Sequence, residues 1–263
     1  MDSGVFMKII FLGTGTSVGV PMIGCGCLVC TSPDPRNRRR RTSLYLETGG
    51  FHAVVDTTPD FREQALQYKI PRLDAVLFTH SHADHIFGFD DVRRFNTIQK
   101  ATIPAYGSPA AIADLKRIFD YVDSGDETPG AYRPKVEFRE ISSPFEIGGM
   151  EVDPIPIEHG PKPTLGYLFR TRGMSLGYFP DCHRMADEVV DRLRGVDVMI
   201  LDALRHRPHA THLTVADSVA ILRRIGAPRS YLIHLCHDLE HEETQKSLPP
   251  GMYVSYDGLA VEG

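Results

Sequence analysis

The chain has no run approaching the roughly 18 uncharged apolar residues that a membrane span requires, so no transmembrane segment is expected. Its opening stretch, Met1 to Val20, lacks the cationic start, long apolar core and small-residue cleavage site of a secretory signal, and a cytoplasmic location is the expectation. Positive charge is not in excess: 29 Lys and Arg stand against 34 Asp and Glu, a formal charge of -5. That excludes the global basic field of nucleic-acid binders, though not a local patch. Cysteine is scarce, 5 in 263 residues, and three of the five crowd together as Cys25, Cys27 and Cys30. An odd count clustered in this way suits metal ligation better than a disulfide framework. What is present, 42% hydrophobic and 24% charged residues, is the composition of an ordinary globular protein able to bury a substantial core.

Strand and helix patterns are interleaved along the chain. Residues 7–12 read as a strand running into the Gly13-Thr14-Gly15 turn, and residues 42–47 and 51–56 read as a hairpin about Gly49-Gly50. Helical spacing covers 60–69, and Ala75 to Thr79 is a short apolar strand of the kind buried on both faces. Helices are expected near 109–121, 184–194 and 214–225. Strands are expected at 151–157, 165–170, 174–179, 197–201 and 229–235, with a final hairpin-like pair over Met252 to Val261. Asp123 to Pro134, rich in Asp, Gly and Pro, reads as an exposed loop. With no repeat and no long linker, the reading is one layered α/β domain over residues 1–263.

The most informative stretch is Phe78-Thr79-His80-Ser81-His82-Ala83-Asp84-His85, which places three imidazoles and a carboxylate directly after a buried strand. Histidine nitrogen and carboxylate oxygen suit zinc, manganese and iron, and a strand end lets them converge on a cleft. Further ligands must come from other strand ends, and His159, Asp181 and His234 each follow an apolar strand. Taken singly, each reads as a hydrogen-bonded histidine or a helix-capping aspartate; beside the first motif they read as ligands.

These residues resemble the metallo-β-lactamase superfamily, whose HxHxDH signature is matched by His80 to His85. The resemblance implies an αβ/βα four-layer sandwich, two face-to-face β-sheets with helices outside. It also implies two divalent catalytic metals, Zn²⁺ or Mn²⁺: one on His80, His82 and His159, the other on Asp84, His85 and His234, with Asp181 between them. Separately, Cys25, Cys27 and Cys30 offer three thiolates where a closed zinc site wants four ligands, and His237 is the candidate for the fourth. The alternative is a set of reduced, solvent-facing thiols. Within the superfamily, the CxCxxC loop and a histidine three residues beyond a ligand histidine resemble the phosphodiesterases of the carbon-phosphorus lyase pathway, which cleave phosphoribosyl cyclic phosphate. That branch implies a structural Zn²⁺, a small phosphodiester substrate in place of nucleic acid, and a homodimer.

Two neighbouring cations would acidify a bridging water and neutralise charge on a phosphate oxygen. Catalysis is assigned to Asp84, Asp181 and His212. The last matches the family position that contacts phosphate and protonates the departing alkoxide. Asp56 and Asp202 suit a role accepting the free N–H of a ligand histidine. Arg36 to Arg41 reads either as a solvated loop or as an anion-attracting run; Arg93 and Arg94 read as surface charges or phosphate contacts; His206 and His209 receive no role. Competing readings are a tRNA 3′-processing endonuclease, a thioesterase or lactonase of the same superfamily, and a non-catalytic zinc-binding module.

Overall fold

Strand β1 (Met7–Gly13) is apolar on both faces because it is covered on both. Met7, Ile9 and Phe11 point one way and Ile10 and Leu12 the other, the period of two that a pleated strand imposes. The computed structural model describes residues 7–122 and 132–263. After β1 come β2 (Ser43–Thr48), β3 (Phe51–Val55), α1 (Phe61–Gln67), β4 (Ala75–Leu77), α2 (Ala83–Ile86), α3 (Val92–Gln99), β5 (Ile103–Gly107) and α4 (Pro109–Ile118). Then follow β6 (Val136–Glu140), β7 (Phe145–Ile147), β8 (Met150–Ile157), β9 (Thr164–Arg170), β10 (Ser175–Phe179), α5 (Asp187–Arg192) and β11 (Val198–Asp202). The chain closes with α6 (Val215–Ile225), β12 (Arg229–Ile233), α7 (His241–Ser247), β13 (Met252–Val254) and β14 (Ala260–Glu262).

Two seven-stranded sheets result, ordered β14-β1-β2-β3-β4-β5-β6 and β13-β12-β11-β10-β9-β8-β7. Their inner faces meet in one core, where Phe11, Leu44, Leu46 and Val55 pack with Tyr167, Phe169, Ile200 and Tyr231. The Phe11 and Tyr231 rings touch across it at 5.5 Å between centroids. Burying a large apolar side chain there contributes roughly 1.5–3 kcal/mol. The outer face of the first sheet packs Val54 and Val76 against Phe61, Phe95 and Leu115 of α1, α3 and α4. That of the second packs Met199 and Leu232 against Val190 and Leu222 of α5 and α6. The order helix, sheet, sheet, helix is the expected four-layer sandwich. Among the described residues no helix is long and apolar enough to cross a membrane.

Three expectations are corrected or bounded. The pair over Met252 to Val261 is no hairpin: β13 runs parallel to β12 in one sheet, while β14 runs antiparallel to β1 in the other. The intervening segment crosses between sheets, with Ser255 N–H bonding to Leu232 and Gly258 N–H to Phe11. The helix expected over 184–194 shortens to α5, because the chain before it is held extended by an N–H of His183 on the Glu158 carbonyl and an Arg184–Glu158 bridge. Positions 123–131 of the expected exposed loop lie outside the described residues.

Candidate metal centre

The strands that end in functional groups all deliver them at their C-terminal ends: Asp56 after β3, His80 after β4, His159 after β8, Asp181 after β10, Asp202 on β11 and His234 after β12. Asp56 and His234 leave their strands in the left-handed region, at φ 66° and 61°. For residues with a Cβ this conformation is strained by about 1–3 kcal/mol, and such strain gathers where a side chain must be aimed.

Asp56 organises the HxHxDH turn. Its fully buried carboxylate accepts from the Thr79 N–H at 2.9 Å, the Thr79 hydroxyl at 2.8 Å and His85 Nδ1 at 2.8 Å. Because the Thr79 hydroxyl donates to Asp56, its oxygen is left to accept from His80 Nδ1 at 3.0 Å. The Thr211 carbonyl likewise accepts from His159 Nδ1 at 2.8 Å. Each of these bonds places the proton on Nδ1 and so leaves a lone pair on Nε2 of His80, His85 and His159.

Those lone pairs converge. His80 Nε2 lies 2.8 Å from His82 Nδ1; His85 Nε2 lies 2.8 Å from one Asp181 oxygen and 3.4 Å from Asp84. His234 Nε2 sits 3.1 Å from the other Asp181 oxygen and 3.9 Å from Asp84, and His159 Nε2 4.0 Å from Asp181. Burial pushes the Asp181 carboxyl up, yet His234, His85 and His80 around it hold it well below the usual range. Burial lowers His80, reinforced by His85 beside it. Both nitrogens of His234 and one oxygen of Asp181 are buried without a hydrogen bond. Desolvated acceptors facing one another are costly unless cations lie between them. The donor set therefore fits divalent metals: His80, His82 and His159 gather their ligand atoms within 4.8 Å, as do Asp84, His85 and His234.

A second cluster lies in the early loop. Cys25, Cys27 and Cys30 place their sulfurs 3.3, 3.5 and 3.7 Å from His237 Nδ1. The Cys30 N–H beside Cys27 lowers its thiol to about 6, a thiolate-ready state, while burial raises Cys30 to about 11. Three sulfurs and one imidazole are the donor set of a closed zinc site.

Residues 53–235 match the Beta-lactamase superfamily domain. The chain belongs to the β-lactamase superfamily. Within this superfamily it is similar to a crystal structure of a diphosphatase from the PhnP family, with 40% identity, 98% of this chain and 97% of that one covered and a TM-score of 0.90. A protein from Porphyromonas gingivalis described as an octanoyltransferase is 36% identical over 96% of this chain, and the chain spans 51% of that relative's length. Zn²⁺-bound PqqB from Methylobacterium extorquens shares the fold at 20% identity and a TM-score of 0.78, with 97% and 99% of the two chains covered.

Other candidates take places their residue types did not reveal. His212 Nδ1 donates to Asp202 at 2.8 Å, so the carboxylate expected to accept from a histidine of the His80–His234 donor cluster accepts from this one instead. The same carboxylate oxygen accepts from Cys182 N–H at 3.0 Å. Arg39 is buried and Arg41 is paired with Asp60, so Arg36 to Arg41 is neither one solvated loop nor one cationic patch. Arg93 pairs with Asp90 at 2.8 Å and lies over the Tyr132 ring, while Arg94 faces solvent. One group escaped the sequence reading: Asp114 on α4 accepts from Ser81 at 2.6 Å and Lys162 at 2.5 Å, strapping the HxHxDH turn to the His159 loop. A lone aspartate on a helix 30 residues downstream carries no local signal of that contact.

Proposed function

We propose that this protein is a metal-dependent phosphodiesterase acting on a small phosphodiester, of which a phosphoribosyl cyclic phosphate is the type. The observation that carries this reading is the His212–Asp202 pair standing directly over the donor cluster, with the His212 ring 4.7 Å from His159 and 4.6 Å from His234. Divalent ions on His80, His82, Asp84, His85, His159, Asp181 and His234 supply charge neutralisation at the phosphate and acidify water when bound.

The chain's own residues do the rest. Hydrolysis breaks a phosphorus–oxygen bond, and the departing oxygen needs a proton. With Nδ1 engaged by Asp202, His212 holds that proton at Nε2, and the buried carboxylate steadies the charged imidazole. Burial lowers His212 from its ordinary value, which eases release of the proton. Asp56 and the Thr211 carbonyl fix the ring orientations of His85 and His159. The 40% identity to a diphosphatase supports phosphoryl over acyl chemistry.

Purified protein should contain about three metal ions per chain, two in the His/Asp cluster and one structural zinc. It should turn over bis-para-nitrophenyl phosphate and a ribose cyclic phosphodiester in a panel that also holds a diphosphate, a thioester and a precursor tRNA. Turnover of the thioester alone overturns the proposal, and cleavage of precursor tRNA alone replaces it with the nuclease reading.

A further inference from the structure

The loop between β11 and α6 carries an imidazole that the mechanism leaves unused. The ring centroid of His209 lies 5.1 Å from that of His212, tilted by 49°. His209 thus adds a ring beside His212, the leaving-group acid of the proposed mechanism. The backbone N–H of Thr211 donates to His209 Nδ1 over 3.3 Å, with the Thr211 hydroxyl at the same distance. A nitrogen that accepts a backbone hydrogen bond keeps its lone pair, so the neutral ring carries its proton on Nε2. That Nε2–H has no partner among the described residues, and the ring is only partly buried.

The loop around it is held in place. Arg205 donates to the carbonyls of Arg207 at 3.2 Å and Pro208 at 2.9 Å, and Thr211 is tied through its own carbonyl to His159. A donor fixed in direction and left unsatisfied beside the proposed leaving-group acid is arranged to meet a ligand acceptor.

We infer that His209 is a specificity-determining residue, donating Nε2–H to an oxygen of the substrate's leaving group. It favours phosphodiesters whose departing oxygen belongs to a sugar over aryl esters with no hydroxyl there. This rests on the phosphodiesterase reading. A single neutral hydrogen bond of this kind is worth a factor of about 3–10 in binding.

The test compares His209→Ala, His209→Gln and His209→Asn in the metal-loaded protein, on adenosine 2′,3′-cyclic phosphate and on bis-para-nitrophenyl phosphate. The Ala variant should raise KM for the cyclic phosphate about fivefold with kcat nearly unchanged, and leave the aryl ester unaffected. Gln places an amide N–H near the Nε2 position and should restore KM; Asn, which mimics only Nδ1, should not. Rescue by Asn, or equal losses on both substrates, assigns His209 to folding the loop and overturns the inference. Calorimetry reads binding without turnover: in a His212→Ala background, removing His209 should weaken binding of adenosine 2′,3′-cyclic phosphate by a similar factor, and equal affinities overturn the inference. Absence of all phosphodiester turnover in the unmodified protein instead sinks the functional reading.

Discussion

His212 shows how little a single residue says on its own. In the sequence it is one histidine ahead of a helix; in the folded chain its Nδ1 is fixed by Asp202 and its ring lies against two imidazoles of the donor cluster. On the proposed mechanism, truncation to alanine removes the proton donor but none of the seven side chains assigned to the metals. His212→Ala should therefore keep its full metal content by elemental analysis while kcat falls by about 10²–10⁴. Loss of metal together with activity would place His212 among the ligands instead. Gly13 acts through what it omits. A Cβ there would lie 2.0 Å from the Arg41 carbonyl oxygen, a backbone atom with little room to yield. Gly13→Ala should cost about 1–3 kcal/mol, read as a lower urea midpoint at unchanged slope. The Gly-Thr-Gly turn reads in sequence as a need for backbone freedom; Gly13 is there because two chain segments touch.

Among the elements, the arginine run serves as a strap. Fully buried Arg39 donates to the carbonyls of Cys236 at 3.0 Å and Leu239 at 2.8 Å, anchoring the segment that bears His234 and His237. Burial lowers its guanidinium to about 10, still charged at neutral pH. Arg36 bridges Asp34 and Glu242, both at 2.7 Å. The cysteine loop is tied to the same segment through His237. Cys27→Ser should release one metal ion per chain, retain the pair in the His/Asp cluster, and lower Tm by roughly 5–10 °C. Unchanged metal content would show that the thiols hold none. Charge count could not separate Arg39 from Arg38, which lies exposed beside it: the difference is which carbonyls of a segment some 200 residues away lie within reach.

For the whole molecule, one carboxylate ties the two ends of the chain together. Asp257 accepts from Thr14 N–H at 2.9 Å, the Thr14 hydroxyl at 2.8 Å and Arg40 N–H at 2.8 Å. Burial pushes it from 3.8 up to about 7. An acid whose folded value exceeds its unfolded value holds its proton more tightly when folded, so its contribution to stability is fully present below 3.8 and is lost as pH rises through about 7. Asp257→Asn should flatten the fall in Tm between pH 4 and pH 7.5 relative to the unmodified protein; an identical slope would remove Asp257 from that linkage. Much of the fold was legible in the chain. The apolar runs of the central strands, the buried run before His80 and the helix after His212 are local consequences of side-chain shape and polarity, and they appear where expected. The HxHxDH turn was legible too, since its residues are contiguous and deliver four donors to one strand end. Hidden from the sequence were the crossing of residues 252–261 between sheets, the burial of Arg39, the Asp114 strap and the pairing of Asp202 with His212. The sequence by itself determined most of the elements and the donor types, because these depend on neighbours a few positions apart. Tertiary structure alone decided which distant donors share a proton, a carbonyl or a cavity, because those energies arise only when segments far apart in the chain exclude water from between them.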